Sequence, residues 1–403
     1  MRHMKWSLLL CALLLSSCSW FSKKTGQEPM DLVSFKETAK LKKLWSKDVG
    51  AGQGIGLTQL TPAIAGDKIF TVDHEGIVTA IDRLKGKKLW SKNITDEWTG
   101  LTGTAVHFFK NPDPNSSITG GISSGGGMLF VGNYAGELIA LSAVDGAEVW
   151  RKQIKGEISS VPQTNGSVVA VQTMNGKLFV VDAKTGADLW FFENPPPVLT
   201  LRGTAAPVVT DSVIYAGFAN GRLMAFNPAN GLILWEQRIA MPKGRSELDR
   251  MVDIHASPLM KDGIIYVGTY QGRITALSRG TGGSVWGQDG STTEAMAAGE
   301  DKLFVAQSDG KITAFNLTSG EVVWQNEKML RRGLGGPQVF GNYLAVVDFK
   351  GYMHLVKQTD GELAERTRID SSGVRAPLLT DGQILYVYDN EGDLTAFTIA
   401  AKK

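Results

Sequence analysis

The feature that most limits how this chain can fold is a unit repeated along nearly all of it. A glycine opens each copy, a short apolar run follows, a second glycine stands ten residues on, and a tryptophan comes four residues later. The clearest copy runs from Gly176 through Gly186 to Trp190. Others start at Gly76, Gly136, Gly221, Gly272, Gly310, Gly351 and Gly392, at spacings of 60, 40, 45, 51, 38, 41 and 41 residues. The tryptophans are Trp90, Trp150, Trp190, Trp235, Trp286 and Trp324. The seventh copy keeps Gly361 but carries Glu365 at the tryptophan position, and the eighth runs out of chain.

Each glycine permits the positive φ that a tight hairpin needs. The runs between them suit short strands, and the tryptophan is an apolar plate able to fill the gap between neighbouring units. A period near 40 with four strands per unit is the signature of a β-propeller. One such unit cannot bury both faces, so the copies must close on each other. The predicted fold is therefore all-β: an eight-bladed β-propeller with four antiparallel strands per blade, over residues 41–403. After Gly392 room remains for one strand, to Ala400, and an unassigned strand of the right type lies at Lys42-Lys43-Leu44-Trp45-Ser46-Lys47. That segment is expected to complete the eighth blade and cover its edge.

The first residues read as an address. Arg2, His3 and Lys5 precede an almost wholly apolar run from Trp6 to Leu15. Ten residues are too few to cross a bilayer, which takes about 20, but they fit a secretory signal over residues 1–17. The run ends in Leu15-Ser16-Ser17-Cys18, which resembles the bacterial lipobox. The resemblance implies cleavage before Cys18, lipidation of its thiol, and anchoring by several acyl chains. Cys11 lies inside the run as apolar filling. Ser19 stands where an Asp often retains lipoproteins in the inner membrane, which implies transport to the outer membrane. Residues 18–40 are mostly polar and read as a lipidated tether.

Charge narrows the class. Residues 1–17 hold Arg2 and Lys5 and no acid, leaving 40 basic against 40 acidic residues in the remainder. A nucleic-acid binder usually shows a basic surplus. Both cysteines lie at the N-terminus, so the propeller has neither a disulfide nor a thiolate metal site. The five histidines show no metal-ligand spacing, and no metal site is expected. Gly50-Ala51-Gly52-Gln53-Gly54-Ile55-Gly56 lacks phosphate-loop spacing and reads as a connection. Residues 98–124, with Phe108, Phe109 and Asn111-Pro112-Asp113-Pro114, read as a long insertion in blade two, a plain surface loop or a second contact site, and Gly125-Gly126-Gly127 likewise reads as loop.

The consensus Gly-x-Leu-x-Ala-Leu-Asp-x-x-Thr-Gly-x-x-x-Trp resembles the repeat of quinoprotein dehydrogenase propellers, a likeness of fold and not of function. Two segments narrow it: Val198-Leu199-Thr200-Leu201-Arg202-Gly203 and Ser246-Glu247-Leu248-Asp249-Arg250-Met251-Val252-Asp253. With the lipobox and the eight copies they resemble the BamB family, propeller lipoproteins of the outer-membrane β-barrel assembly machinery. The resemblance implies a non-enzymatic scaffold without cofactor, anchored in the outer membrane and facing the periplasm. It would bind the periplasmic POTRA domains of the central barrel subunit, and would also guide nascent outer-membrane proteins. It implies partner-binding roles for Leu199, Leu201, Arg202 and Asp253, with Asp249 and Arg250 shaping the second segment. His255 stands where the family carries an acid. The alternatives are a quinone-dependent dehydrogenase, whose known forms are longer and use a vicinal cysteine pair, and a surface adhesion propeller.

Propeller connectivity supports these segments independently. Links from an outer strand to the next inner strand all emerge on one rim. Residues 194–203 and 240–254 make two successive links, so they are expected side by side flanking blade four. Leu199 and Leu201 beside Arg202 are the mix enriched at binding hot spots. The alternative is that both leucines pack inward and that Arg202 pairs with Asp253.

Overall fold

The computed structural model describes residues 28–54, 60–95 and 117–400. The signal segment, Cys18 and the phenylalanines of the blade-two link lie outside these residues. The described chain forms thirty-two strands in eight four-stranded antiparallel sheets, with no helix among the described residues. Blades one to seven span residues 63–93, 118–153, 163–193, 208–238, 259–290, 297–326 and 338–368. Blade eight takes three strands from 379–399 and its outer strand from Leu41–Asp48, which pairs antiparallel with Asp393–Ile399. The N-terminal strand therefore closes the ring as its sequence implied.

The repeat residues sit where their chemistry requires. Gly176 and Gly186 have φ of 78° and 70° in the tight links on either side of the third strand. Each tryptophan packs on the second glycine of the following blade. A Cβ on Gly86 would stand 2.6 Å from Trp45, and one on Gly186 would stand 2.8 Å from Trp150. Except at Trp90, the indole N–H then reaches a carbonyl in that blade: Trp150 donates to Ala183 at 3.0 Å and Trp190 to Pro228 at 2.8 Å. The second and third strands of each blade are largely buried, so core clusters such as Phe304, Ile312, Leu344 and Val356 run from one blade into the next.

Blade seven shows why its tryptophan is missing. The eighth blade has no link between its third and outer strands, because the outer strand comes from the N-terminus. No turn glycine is there for a ring to cover. Glu365 is buried instead, accepting from the Thr367 hydroxyl at 2.9 Å and from the Leu41 amide. Burial pushes its carboxyl above the ordinary value.

Two sequence boundaries need correction. Residues 28–40 do not hang free as tether: they dock along blade seven. The Met30 amide donates to Leu330 O at 3.0 Å and the Thr38 amide to Ala364 O at 2.8 Å. Arg331, Arg332 and Arg366 donate to the carbonyls of Glu28, Met30 and Val33 at 2.7, 2.9 and 2.9 Å. Val33 and Phe35 pack on the apolar core between blades six and seven, and composition alone hides this. The second correction concerns the proposed insertion 98–124. Ile118–Gly125 is the inner strand of blade two, and Gly126 and Gly127 make its hairpin at φ of 59° and 80°. Its glycines read as loop but serve close packing: a Cβ on Gly120 would meet the Ser160 carbonyl oxygen at 2.3 Å.

Candidate docking rim

In each blade the link between second and third strands, and the link to the next blade, emerge on the same rim. Residues 194–207 and 239–258 lie there, on either side of blade four. They are joined directly. The Leu201 amide donates to Asp253 Oδ2 at 2.5 Å, and the Ala206 amide to Ser257 Oγ at 3.1 Å. Asp253 is 3% exposed, and its other carboxylate oxygen has no hydrogen-bond partner. Burial pushes its pKa up to about 6, against the lowering effects of the Leu201 amide and of nearby His255. Asp253 is thus an internal fastener, set beneath the surface that the two loops present.

That surface is apolar with a cationic edge. Val198 is 94% exposed and Leu199 41%, while Leu201 is half-buried over the Asp253 bond. Met241 and Leu248 are exposed on the second loop. The Arg202 guanidinium points outward and pairs with Glu157 at 3.1 Å, not with Asp253. Burial raises the pKa of Glu157 and Arg202 offsets part of that rise. The inward arrangement open in the sequence, both leucines buried and Arg202 paired with Asp253, does not hold for Leu199, which is exposed, or for Arg202, which pairs with Glu157, while Leu201 is half-buried.

Asp249 and Arg250 are both exposed. The Asp249 amide donates to Ser246 Oγ at 3.1 Å and its carboxylate accepts the Ser246 amide at 3.2 Å. This reciprocal turn tightens the 246–250 segment, and the Ser246 hydroxyl holds the Asp249 carboxyl below its ordinary value. Gly244, at φ of 112°, lies so close that a Cβ would meet Asp249 Cβ at 2.4 Å. Sequence reasoning missed Glu157, Ser257 and Met174, whose sulfur accepts the Gly203 amide at 3.3 Å. Glu157 and Met174 lie on blade three and the link before it, and Ser257 lies at the end of the second loop, with no local pattern to mark any of them.

Among the described residues no group of histidine, cysteine, aspartate and glutamate side chains is arranged to hold a metal ion.

The model of the outer membrane protein assembly factor BamB family matches residues 31–107, 96–326 and 308–402. The chain belongs to the BamB family. A Pseudomonas aeruginosa BamB is 39% identical over 393 residues, covering 98% of each chain, and a Yersinia pestis BamB is 30% identical with 97% of each covered. The solved BamB of Moraxella catarrhalis superposes with a TM-score of 0.77 at 25% identity, over 89% of this chain and all of that one. A europium-containing methanol dehydrogenase shares the propeller at a TM-score of 0.67 and 13% identity, over 89% of this chain and 93% of its own. That likeness is one of fold alone.

Proposed function

We propose that this BamB-family protein is a non-enzymatic scaffold of outer-membrane protein assembly, which docks on the periplasmic POTRA domains of the central barrel subunit through loops 194–207 and 239–258. The observation that carries this reading is the bond from the Leu201 amide to buried Asp253. It fastens two loops of different sequence into one surface, with Val198, Leu199, Leu248 and Arg202 turned to solvent. Apolar anchors ringed by a cation suit a partner with an acidic, grooved face. Family membership supports the assembly role. The absence of cysteine from residues 19–403 argues against the vicinal-cysteine quinoenzymes. In this reading Cys18 carries the lipid and the propeller faces the periplasm. Nascent outer-membrane proteins are a second class of partner.

The test is charge reversal at the edge of the surface. Arg202→Glu is expected to abolish co-purification with the central barrel subunit. Lys302→Glu, on the opposite rim, is expected to leave it intact. Normal recovery with Arg202→Glu, or equal loss with both, would contradict the assigned surface.

A further inference from the structure

The imidazole of His255 stands between two carbonyl oxygens. Nε2 lies 3.1 Å from the oxygen of Arg202, and Nδ1 lies 3.1 Å from that of Thr293. The two carbonyls belong to different links: Arg202 to the link between blades three and four, Thr293 to that between blades five and six. His255 itself sits on the link between blades four and five, so one ring spans three successive links of the docking rim. The approach is close on the Arg202 side. Gly203 has φ of 110°, and a Cβ there would stand 2.7 Å from His255 Nε2.

Carbonyl oxygens only accept. A neutral imidazole has one N–H and can serve one of them, leaving its other nitrogen lone pair facing oxygen. The imidazolium donates to both, through charge-assisted bonds that are the stronger kind. We infer that His255 is a positioning residue for docking: with its second proton it pins Arg202 and the 194–203 loop to the rim, and without that proton it releases them.

The charged neighbours agree with this arrangement. Burial pushes the carboxyls of Asp253, on the same link, and Glu294, on the next, above their ordinary values, and the charge of nearby His255 offsets part of that rise. Arg375 and His255 line one cavity of about 90 Å³, shared with Ser159, Ser257 and Thr293. Its guanidinium is turned to the Gly54 carbonyl and the Asn390 side chain. The Arg202 guanidinium is turned away to Glu157. Two carboxyl groups thus lie near enough to interact with His255, and the Arg202 and Arg375 guanidiniums are engaged by other partners.

Asp253 gives the opposite limb. It titrates near 6 because it is buried, and a proton there weakens its charge-assisted hold on the Leu201 amide. Affinity therefore has a maximum: it rises as His255 gains a proton and falls as Asp253 does. The two apparent steps belong to the pair jointly.

This inference rests on the docking reading above, and two measurements separate their failures. In the first, ring ¹⁵N–¹H spectra of the processed chain without partner follow His255 from pH 8 to pH 6. Both ring N–H protons are expected at pH 6 and one at pH 8. In the second, titration calorimetry follows binding of the purified periplasmic domains of the central barrel subunit from pH 5 to pH 8.5. Kd is expected to be about tenfold tighter at its optimum than at pH 8, the worth of about 1.4 kcal/mol. His255→Gln should lose that rise and keep the fall at lower pH. His255→Asn replaces it if the glutamine variant does not fold. A singly protonated ring at pH 6, a change under about threefold, or the same rise in the variant would overturn the inference. Absence of binding at every pH, with the ring doubly protonated at pH 6, would instead sink the docking reading and the inference with it.

Discussion

Trp286 of blade five lies against Gly320 of blade six, so close that a Cβ on the glycine would stand 2.5 Å from ring carbon Cδ2. Its indole N–H donates to Leu317 O at 2.8 Å, and the ring packs 6.1 Å from Phe315. Gly320 has φ of 73°, so it is required twice, for its backbone and for its missing side chain. Gly320→Ala is expected to cost about 3 kcal/mol, from strain at positive φ and overpacking together. Gly263, at φ of 80° but with nothing within 4 Å of a Cβ, supplies the contrast. Gly263→Ala should cost about 1 kcal/mol. Urea unfolding of both variants checks this, and equal losses would show that the ring contact carries no weight.

Closure of the ring rests on Leu41–Asp48. Ser46 Oγ and Thr395 Oγ1 lie 2.7 Å apart across that pairing, and Trp45 covers Gly86 of blade one. Removing 41–49 exposes the edge of Asp393–Ile399 and uncovers the first blade. The deletion is expected to lower the melting temperature by at least about 10 °C, or to prevent soluble expression. Unchanged melting would refute closure by this strand.

Asp389 and Asp348 occupy matching links in adjacent blades but titrate oppositely. Burial pushes Asp389 up to about 6, although it accepts the amides of Gly392 and Asp393. Asp348 is also raised by burial, but bonds from His354 at 3.1 Å and Arg332 at 2.7 Å outweigh this and hold it low. Because Asp389 binds its proton more tightly when folded, it contributes stability below about pH 4 that is lost as pH rises through about 6. Asp389→Asn does not titrate. Between pH 4 and pH 7 its stability should gain on that of the unsubstituted protein by about 2 kcal/mol. Denaturant unfolding at both pH values checks the sign. A pH-independent difference would contradict the assignment.

The docked segment 28–40 depends on Arg366, which donates to Val33 O and stands 5.0 Å above the Phe35 ring. Losing both contacts costs about 1–2 kcal/mol locally. Arg366→Ala should therefore speed tryptic cleavage after Lys36 by at least about fivefold, since cleavage tracks the open fraction. Cleavage at the unchanged rate would show that the segment is held by other means.

The ring was legible in sequence because its constraint is local and repeated. Each glycine and tryptophan answers a demand met again one blade later, so Gly176, Gly186 and Trp190 announce the unit by themselves. Glu365 showed as a departure, and its reason needed the ring: only closure from the N-terminus removes the glycine that a tryptophan would cover. Residues 28–40 were misread because their partners Leu330, Ala364 and Arg366 lie some 300 positions away. Gly120 was misread because in composition a glycine packed on a neighbouring strand looks like one in a loop. In the candidate docking rim, connectivity alone placed the two loops together. The burial of Asp253 and the bridging by His255 depend on side chains meeting across blades, for which no spacing rule exists.

The proposed docking surface is tested most directly by placing a photo-crosslinking residue at Leu199 in living cells. Leu199 is exposed on the joined loops, and Val322, exposed on the outer strand of blade six, serves as control. The expected result is an adduct between position 199 and the central barrel subunit, with none from position 322. No adduct at 199, or equal adducts at both positions, would contradict the assignment of loops 194–207 and 239–258 as the surface that meets the assembly machinery.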